Sequence, residues 1–282
     1  MLKNAISLYT MIYFSPAKIN LGLQIIERRQ DGFHNLQSLM YPIPLCDIIE
    51  IGQLPGQIMP VRFTQSGISA GSTPENNLCM RAWELMRSEI SLPPVAMHLH
   101  KQIPVGAGLG GGSSNASTVL KALNTLAHKP LSTEHMSELA ERLGSDCPFF
   151  LQADPMLAEG RGEILSRVSV SLGSYFLVVL FPGLHISTAE AYRKVTATRP
   201  DKHLKQVIEA PVHQWKDALK NDFEQSLFEQ YPQLKKLKHN LYGAGALYAA
   251  MSGSGSSLFG IFESCPELPR EIRQVVTWQG AL

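Results

Sequence analysis

Hydrophobic residues recur along the chain at two periods. From Ile19 to Ile25 they alternate, placing Ile19, Leu21, Leu23 and Ile25 on one side and Lys18, Asn20, Gly22 and Gln24 on the other. That pattern predicts a half-buried strand. Asp31-Gly32 follows as a hairpin-type turn, and another strand is expected near Asp47–Ile51. Asn76 and Asn77 can cap a helix carrying Leu78, Ala82, Leu85 and Met86 on one stripe. Val95, Met97 and Leu99 alternate into a strand that leads to Pro104. Beyond a glycine-rich run, Ala116, Val119, Leu120 and Leu123 return at helical spacing. A further helix starts near Ser132, presents Met136, Leu139, Ala140 and Leu143, and stops at Gly144. The last third offers a buried strand at Tyr175–Phe181, a charged helical stretch, and a hairpin of small residues from Ala246 to Phe262.

Strands come first and then mix with helices, without regular βαβα alternation, so the fold class expected is α+β rather than a doubly wound sheet. The break at Glu159–Gly162 predicts two domains, 1–160 and 161–282. Met11 stands just before the first clear strand, so residues 1–10 are expected to be a dispensable extension.

Composition narrows the function. The chain has 282 residues, 25 basic against 24 acidic and a net charge of +1. No basic excess marks a nucleic-acid footprint, so no nucleic-acid partner is expected. The longest aliphatic run, Phe176–Phe181, has the length of a buried strand and not of a membrane span. Four well-separated cysteines, at 46, 79, 147 and 265, suggest neither a disulfide framework nor a zinc site. The expectation is a cytoplasmic protein, monomeric or weakly dimeric, with a small-molecule substrate. His98 and His100 would share a strand face but have no third ligand nearby.

The run Pro104-Val-Gly-Ala-Gly-Leu-Gly-Gly-Gly-Ser-Ser114 puts five glycines between a strand and an amphipathic helix. Glycine lets backbone N–H groups turn toward a ligand and approach it closely. The helix behind adds unpaired N–H groups and a positive dipole end, both of which favour phosphate. Ser113 and Ser114 can contribute hydroxyl donors or a magnesium ligand. A merely flexible surface loop has no need of so many glycines directly ahead of a helix. Gly106, Gly108 and Gly111 satisfy G-x-G-x-x-G, but no βαβ unit with an acidic residue at the end of the next strand follows. No lysine follows the last glycine, which excludes a Walker A loop, and a protein-kinase glycine loop would sit in a hairpin.

This run resembles the nucleotide loop of the GHMP kinase superfamily, P-x-x-x-G-L-G-S-S, in the glycine-extended form of one branch. Four other segments agree in order and spacing: Ser15-Pro-Ala-Lys-Ile-Asn-Leu21, Asp31-Gly-Phe-His34, Gly144-Ser-Asp-Cys-Pro148 and Ser252-Gly-Ser-Gly-Ser-Ser-Leu-Phe259. The Asp-Gly-Phe-His element resembles the cytidine-binding turn of the branch that acts on a cytidine diphosphate derivative of methylerythritol.

The resemblance implies two α+β lobes, an ATP-binding one over 1–160 and a ferredoxin-like one over 161–282, with the active site in the cleft between them. It implies ATP-dependent phosphorylation of the 2-hydroxyl of 4-diphosphocytidyl-2-C-methyl-D-erythritol, in the non-mevalonate route to isoprenoids, with magnesium accompanying ATP. Asp146 alone reads equally well as a general base or a helix cap, and the family pattern favours the base. Lys18 would assist it or meet developing charge.

ATP would be held by Pro104, Val105, Gly106, Ala107, Gly108, Leu109, Gly110, Gly111, Gly112, Ser113 and Ser114, and at the adenine by Asn77 and Leu78, although a helix cap explains Asn77 equally well. Asn20 would orient the acceptor, and Phe33 and His34 would recognise cytosine by stacking and hydrogen bonds. Phe33 stands where the family usually has tyrosine. The segment Pro182–Tyr192 resembles P-G-x-x-x-x-T and adds Thr188 and Tyr192; the third glycine motif adds Gly253 and Ser254. The alternatives are a GHMP kinase for another small molecule, or a non-catalytic nucleotide-binding module.

Overall fold

A computed structural model describes residues 10–54, 59–69, 71, 73, 76–197 and 203–282. The chain divides into two compact units that do not follow chain order. One gathers residues 1–16, 46–105 and 111–151; the other gathers 17–45, 106–110 and 152–282.

The chain opens with two long strands, β1 (Thr10–Arg28) and β2 (His34–Gln53). Arg29 N–H donates to the Phe33 carbonyl at 2.8 Å across the turn between them, where Gly32 takes φ +85°. Both strands are much longer than the alternating stretches that announce them. The face of β1 opposite Ile19 and Leu21 is also covered, so Lys18 and Asn20 are buried and the strand is not half-buried as expected. The expectation for the chain start also needs correction. Thr10 already lies in β1, against Gly52, where an added Cβ would stand 2.9 Å from the Thr10 hydroxyl. Residues 1–9 lie outside the described residues.

In the first unit β3 (Val61–Gly67) pairs in parallel with β4 (Val95–Lys101), which pairs antiparallel with the end of β2, Ile49 opposite Leu99. Inward residues Ile49, Ile51, Val95, Met97 and Leu99 pack on three helices, α1 (Leu78–Glu89), α2 (Gly111–Leu126) and α3 (Thr133–Leu143). Asn77 caps α1 by accepting from Cys79 N–H at 2.9 Å, and Ser132 caps α3. α3 ends at Gly144 as its sequence predicts, and α4 (Cys147–Gln152) follows.

In the second unit β2 pairs with β5 (Met156–Glu159), and β5 with β6 (Ile164–Arg167). Next comes β7 (Phe176–Leu180), then the helices α5 (Thr188–Arg193), α6 (Leu204–Ile208), α7 (Trp215–Ala218), α8 (Phe223–Gln230) and α9 (Pro232–Gly243). A hairpin of β8 (Tyr248–Met251) and β9 (Leu258–Phe262), a short α10 (Arg270–Arg273) and β10 (Val276–Ala281) complete it. These four strands form an antiparallel sheet in the order β10-β7-β9-β8. With helices after the first and third of them, this is the split βαβ arrangement of a ferredoxin-like sheet. The fold class is α+β, as the order of elements predicts. No described helix is long and apolar enough to cross a membrane.

The four cysteines are unpaired. Burial pushes the thiol of Cys79 up to about 12 and that of Cys147 up to about 11, which keeps both protonated and unreactive.

Candidate active site

In the first unit the glycine-rich run enters α2. A Cβ on Gly111 would come within 2.8 Å of Ile103 Cγ2 and 3.2 Å of Lys101 Nζ, and one on Gly112 would reach Leu78 Cδ1 at 3.3 Å. These glycines therefore let the first turn of a sixteen-residue helix settle on its surroundings with its N–H groups uncovered by side chains. Leu78 is brought beside that turn from the start of α1, and Asn77 caps the same helix, so the two expected adenine-side residues stand at its edge. The two serines divide their roles. Ser113 is half-buried, whereas Ser114 is fully buried and its hydroxyl is bonded to Ser15 at 2.8 Å.

Asp146 lies in the turn between α3 and α4 and is half-buried. Ser117 of α2 donates to the Cys147 carbonyl at 2.7 Å, and a Cβ on Gly144 would stand 3.9 Å from Ser113 Oγ. The turn carrying Asp146 is thus fastened to the first turns of α2.

In the second unit five segments distant in sequence converge. Lys18, only 4% exposed, donates to Asn20 Oδ1 at 2.6 Å. Asn20 in turn donates to Ser38 at 2.6 Å, so both side chains are held on one face of β1. Lys18 N–H donates to the Leu109 carbonyl at 3.0 Å, tying β1 to the glycine run. Gly106, Gly108 and Gly110 take φ of +65°, +77° and +70°, which side chains other than glycine rarely adopt. A Cβ on Gly106 would meet the His185 ring at 2.6 Å, and one on Gly108 would strike the Ser252 carbonyl. The loop of residues 252–257 closes on this run, with Ser257 N–H donating to the Ala107 carbonyl and Ser252 Oγ to that of Gly108. Gly253 lies close to the Asn20 amide, and Ser254 is half-buried beside it.

The expected cytosine-binding residues also gather in the second unit. The His34 ring stacks on Tyr192 with centroids 4.9 Å apart and planes 27° apart, and Tyr192 meets Phe223 edge-on. Thr188 opens the short helix α5 that carries Tyr192. Phe33 is 55% exposed and lies under the guanidinium of Arg161 at 5.0 Å. Burial, and then the positive charge of Arg28, lower the pKa of His34, so the folded protein favours its neutral ring. A depressed imidazole pKa contributes stability above the unfolded value of about 6.5 and loses it as pH falls toward the folded value. Because the folded ring ionises below the ordinary histidine range, affinity for a ligand that needs the neutral His34 ring is expected to weaken only as pH falls below that range. His34→Gln should flatten that step in a pH series of binding titrations.

Two groups of contacts have no counterpart in the sequence reading. One is the buried set Asp47, Lys101, Asn115 and Ser15. The other is the segment 221–224. Asn221 donates to the carbonyls of Met251 and Gly253, both at 2.8 Å; Asp222 accepts from Ile25 N–H; and Glu224 accepts from Met251 N–H and Lys238. This segment fastens the 252–257 loop to β1. His98 and His100 do share a face, but both His98 ring nitrogens and His100 Nδ1 are engaged by Thr64 and Ser66. Among the described residues no group of three His, Cys, Asp or Glu side chains could hold a metal ion.

The chain matches known proteins over most of its length. Residues 77–153 match the family described as GHMP kinases N terminal domain, and residues 206–277 match GHMP kinases C terminal. A Bacteroides fragilis 4-diphosphocytidyl-2-C-methyl-D-erythritol kinase is 48% identical over 89% of this chain and 92% of its own. The Porphyromonas gingivalis protein of the same name is 41% identical over 96% of this chain and 100% of its own. A crystal structure of a 4-(cytidine 5'-diphospho)-2C-methyl-D-erythritol kinase superposes with a TM-score of 0.79 at 34% identity, covering 94% of this chain and 93% of that one. A homoserine kinase from Cytophaga hutchinsonii shares the fold, with a TM-score of 0.67 at 17% identity over 94% of this chain and 87% of its own. The chain is a small-molecule kinase that belongs to the GHMP kinases and, within them, to the 4-diphosphocytidyl-2-C-methyl-D-erythritol kinase family.

Proposed function

We propose that this protein transfers the γ-phosphoryl group of ATP to the 2-hydroxyl of 4-diphosphocytidyl-2-C-methyl-D-erythritol, in the non-mevalonate route to isoprenoids. The acceptor hydroxyl gives its proton to the Asp146 carboxylate as its oxygen bonds to the γ-phosphorus; the bond to the β,γ-bridging oxygen breaks and ADP leaves. Lys18, aligned by Asn20, offsets negative charge developing on the acceptor oxygen. The residues of the run Pro104–Ser114 hold the triphosphate through backbone N–H groups, with Asn77 and Leu78 on the adenine side. Gly253, Ser254 and Thr188 line the acceptor side.

Magnesium would accompany the nucleotide, with the Ser113 hydroxyl as a candidate ligand; among the described residues no acidic cluster could hold it. When bound it neutralises phosphate charge. The boundary proposed near 160 falls between the two family matches, whereas the compact units carry residues 17–45 and 106–110 across it. The reaction is assigned to the cytoplasm, where ATP is supplied, to a monomer or weak homodimer with no nucleic-acid partner.

The observation that carries the substrate assignment is the stack of His34 on Tyr192, two residues 158 positions apart. It offers a flat base an aromatic neighbour and a hydrogen-bonding edge. ADP release measured with a panel of acceptors tests the assignment: turnover is expected with the cytidyl acceptor and not with homoserine, mevalonate or galactose. Equal turnover with an acceptor lacking cytidine would overturn it. His34→Ala should raise the cytidyl KM by about tenfold or more and relax preference over the uridyl analogue, with the ATP KM little changed.

A further inference from the structure

We propose that Asp47, Lys101 and Asn115 are positioning residues for ATP, a buried clamp that sets the glycine-rich run from both of its ends. The inference rests on that run being the ATP site.

Asp47 and Lys101 continue the antiparallel register of β2 and β4, in which Ile48 stands opposite His100 and Ile49 opposite Leu99. Each occupies an inward position in an otherwise apolar alternation, and both are buried, at 0% and 5% exposure. The Asp47 carboxylate is saturated. Its Oδ1 accepts from Gln102 N–H at 2.7 Å and Ile103 N–H at 2.8 Å, and its Oδ2 accepts from Lys101 Nζ at 2.6 Å and Asn115 Nδ2 at 2.9 Å. Asn115 Nδ2 also reaches Ser15 Oγ at 3.0 Å, and Ser15 holds Ser114. Gln102 and Ile103 lead into the run; Asn115 lies one turn inside the helix that leaves it. One carboxylate therefore grips the chain on both sides of the glycines.

A run with five glycines in eleven residues has few side chains to restrict it, so its unbound conformations must be limited from outside. Gripping the ends reduces the ordering that ATP binding must otherwise impose. Stability alone is a poor reason for such a pair, because a buried ion pair can often be replaced by apolar residues without loss of stability. The Lys101 ammonium also lies beneath Gly111, the first residue of α2. Losing Asp47 alone would leave that cation uncompensated under the turn.

The decisive variant is the double replacement Asp47→Leu with Lys101→Met, which removes both charges and keeps an apolar filling. It is expected to melt near the parent, while its ATP KM rises about tenfold or more and its cytidyl KM stays within about twofold. Asn115→Ala keeps the Asp47–Lys101 pair and removes the grip on α2, together with the Asn115 bonds to Ser15 and Lys101. Its ATP KM is expected to rise about three- to tenfold, so the inference remains testable if the double variant fails to fold. An ATP KM within about twofold of the parent in either variant, once shown folded by circular dichroism, overturns the inference. Direct ATP titration of the parent and of Gly110→Val separates the two levels. If the parent binds ATP, Gly110→Val does not, and the clamp variants bind like the parent, only the clamp is wrong. If the parent shows no saturable ATP binding, the reading of the run falls, and the clamp with it.

Discussion

Replacing Asp146 by asparagine is expected to lower kcat by about 10²–10⁴-fold while leaving ATP binding nearly intact. Asparagine keeps the shape and hydrogen-bonding capacity of the side chain and removes only the basic oxygen. The turn that carries it is held by the Ser117 bond to Cys147 and by the packing of Gly144 near Ser113, neither of which uses the Asp146 side chain. Circular dichroism and a melting curve of the variant check that the fold survives. Single-turnover measurements of phosphoryl transfer at saturating ATP and acceptor check the loss at the chemical step. Turnover within a few-fold of the parent would return Asp146 to a structural role at the start of α4.

Gly110→Val is expected to have a comparably large effect on a different quantity. Gly110 takes φ +70°, a region in which a β-branched residue is a genuine outlier. Strain of about 1–3 kcal/mol accompanies such a residue if the backbone holds. If the backbone moves instead, the N–H groups of the run turn away from the phosphates. In the first case the strain lowers fold stability; in the second, ATP binding has to restore the strained conformation and should weaken by about 5- to 150-fold, the equivalent of that strain. Nucleotide titration followed by calorimetry, with circular dichroism to confirm folding, checks it. Unchanged affinity in a folded variant of unchanged stability would remove the run from the site.

Local pattern made much of this fold legible. The helices at Leu78, Gly111 and Thr133 start where caps and glycines place them, and the hairpin of β8 and β9 falls inside the small-residue stretch. The extent of β1 and β2 was not legible, because alternation reveals a strand only where one of its faces is polar. Pro44-Leu-Cys-Asp-Ile-Ile shows no such contrast. The division into units was hidden for a related reason: residues 17–45 and 106–110 group with the C-terminal part of the chain, and no local signal records which distant segment a strand will pair with.

The site was partly legible. Lys18 and Asn20 on one face followed from the period of two, and the stack of His34 on Tyr192 brings together two residues that the family resemblance had named separately. The buried set around Asp47 had a readable signal that was passed over. In Leu45, Asp47, Ile49 and Ile51, and again in Val95, Met97, Leu99 and Lys101, a single charge occupies a core-facing position. Opposite charges at inward positions of two strands are what a cross-strand ion pair requires. Asn221 and Glu224 gave no comparable sign, since charged and amide residues are ordinary at the start of a helix.

The alternation in β1 also bears on how reliably the strand finds its partner. A slip of one residue would exchange the two faces, driving the Lys18 ammonium toward the space now filled by Ile19 and Leu21 and turning those side chains onto the glycine run. Such a one-residue slip would bury an uncompensated cation. The lysine proposed to serve the reaction is thus also a proofreading element during folding, and a neutral replacement there should make misregistered, aggregation-prone species easier to populate. Refolding yield, followed by light scattering, would register this even though the native strand has not changed.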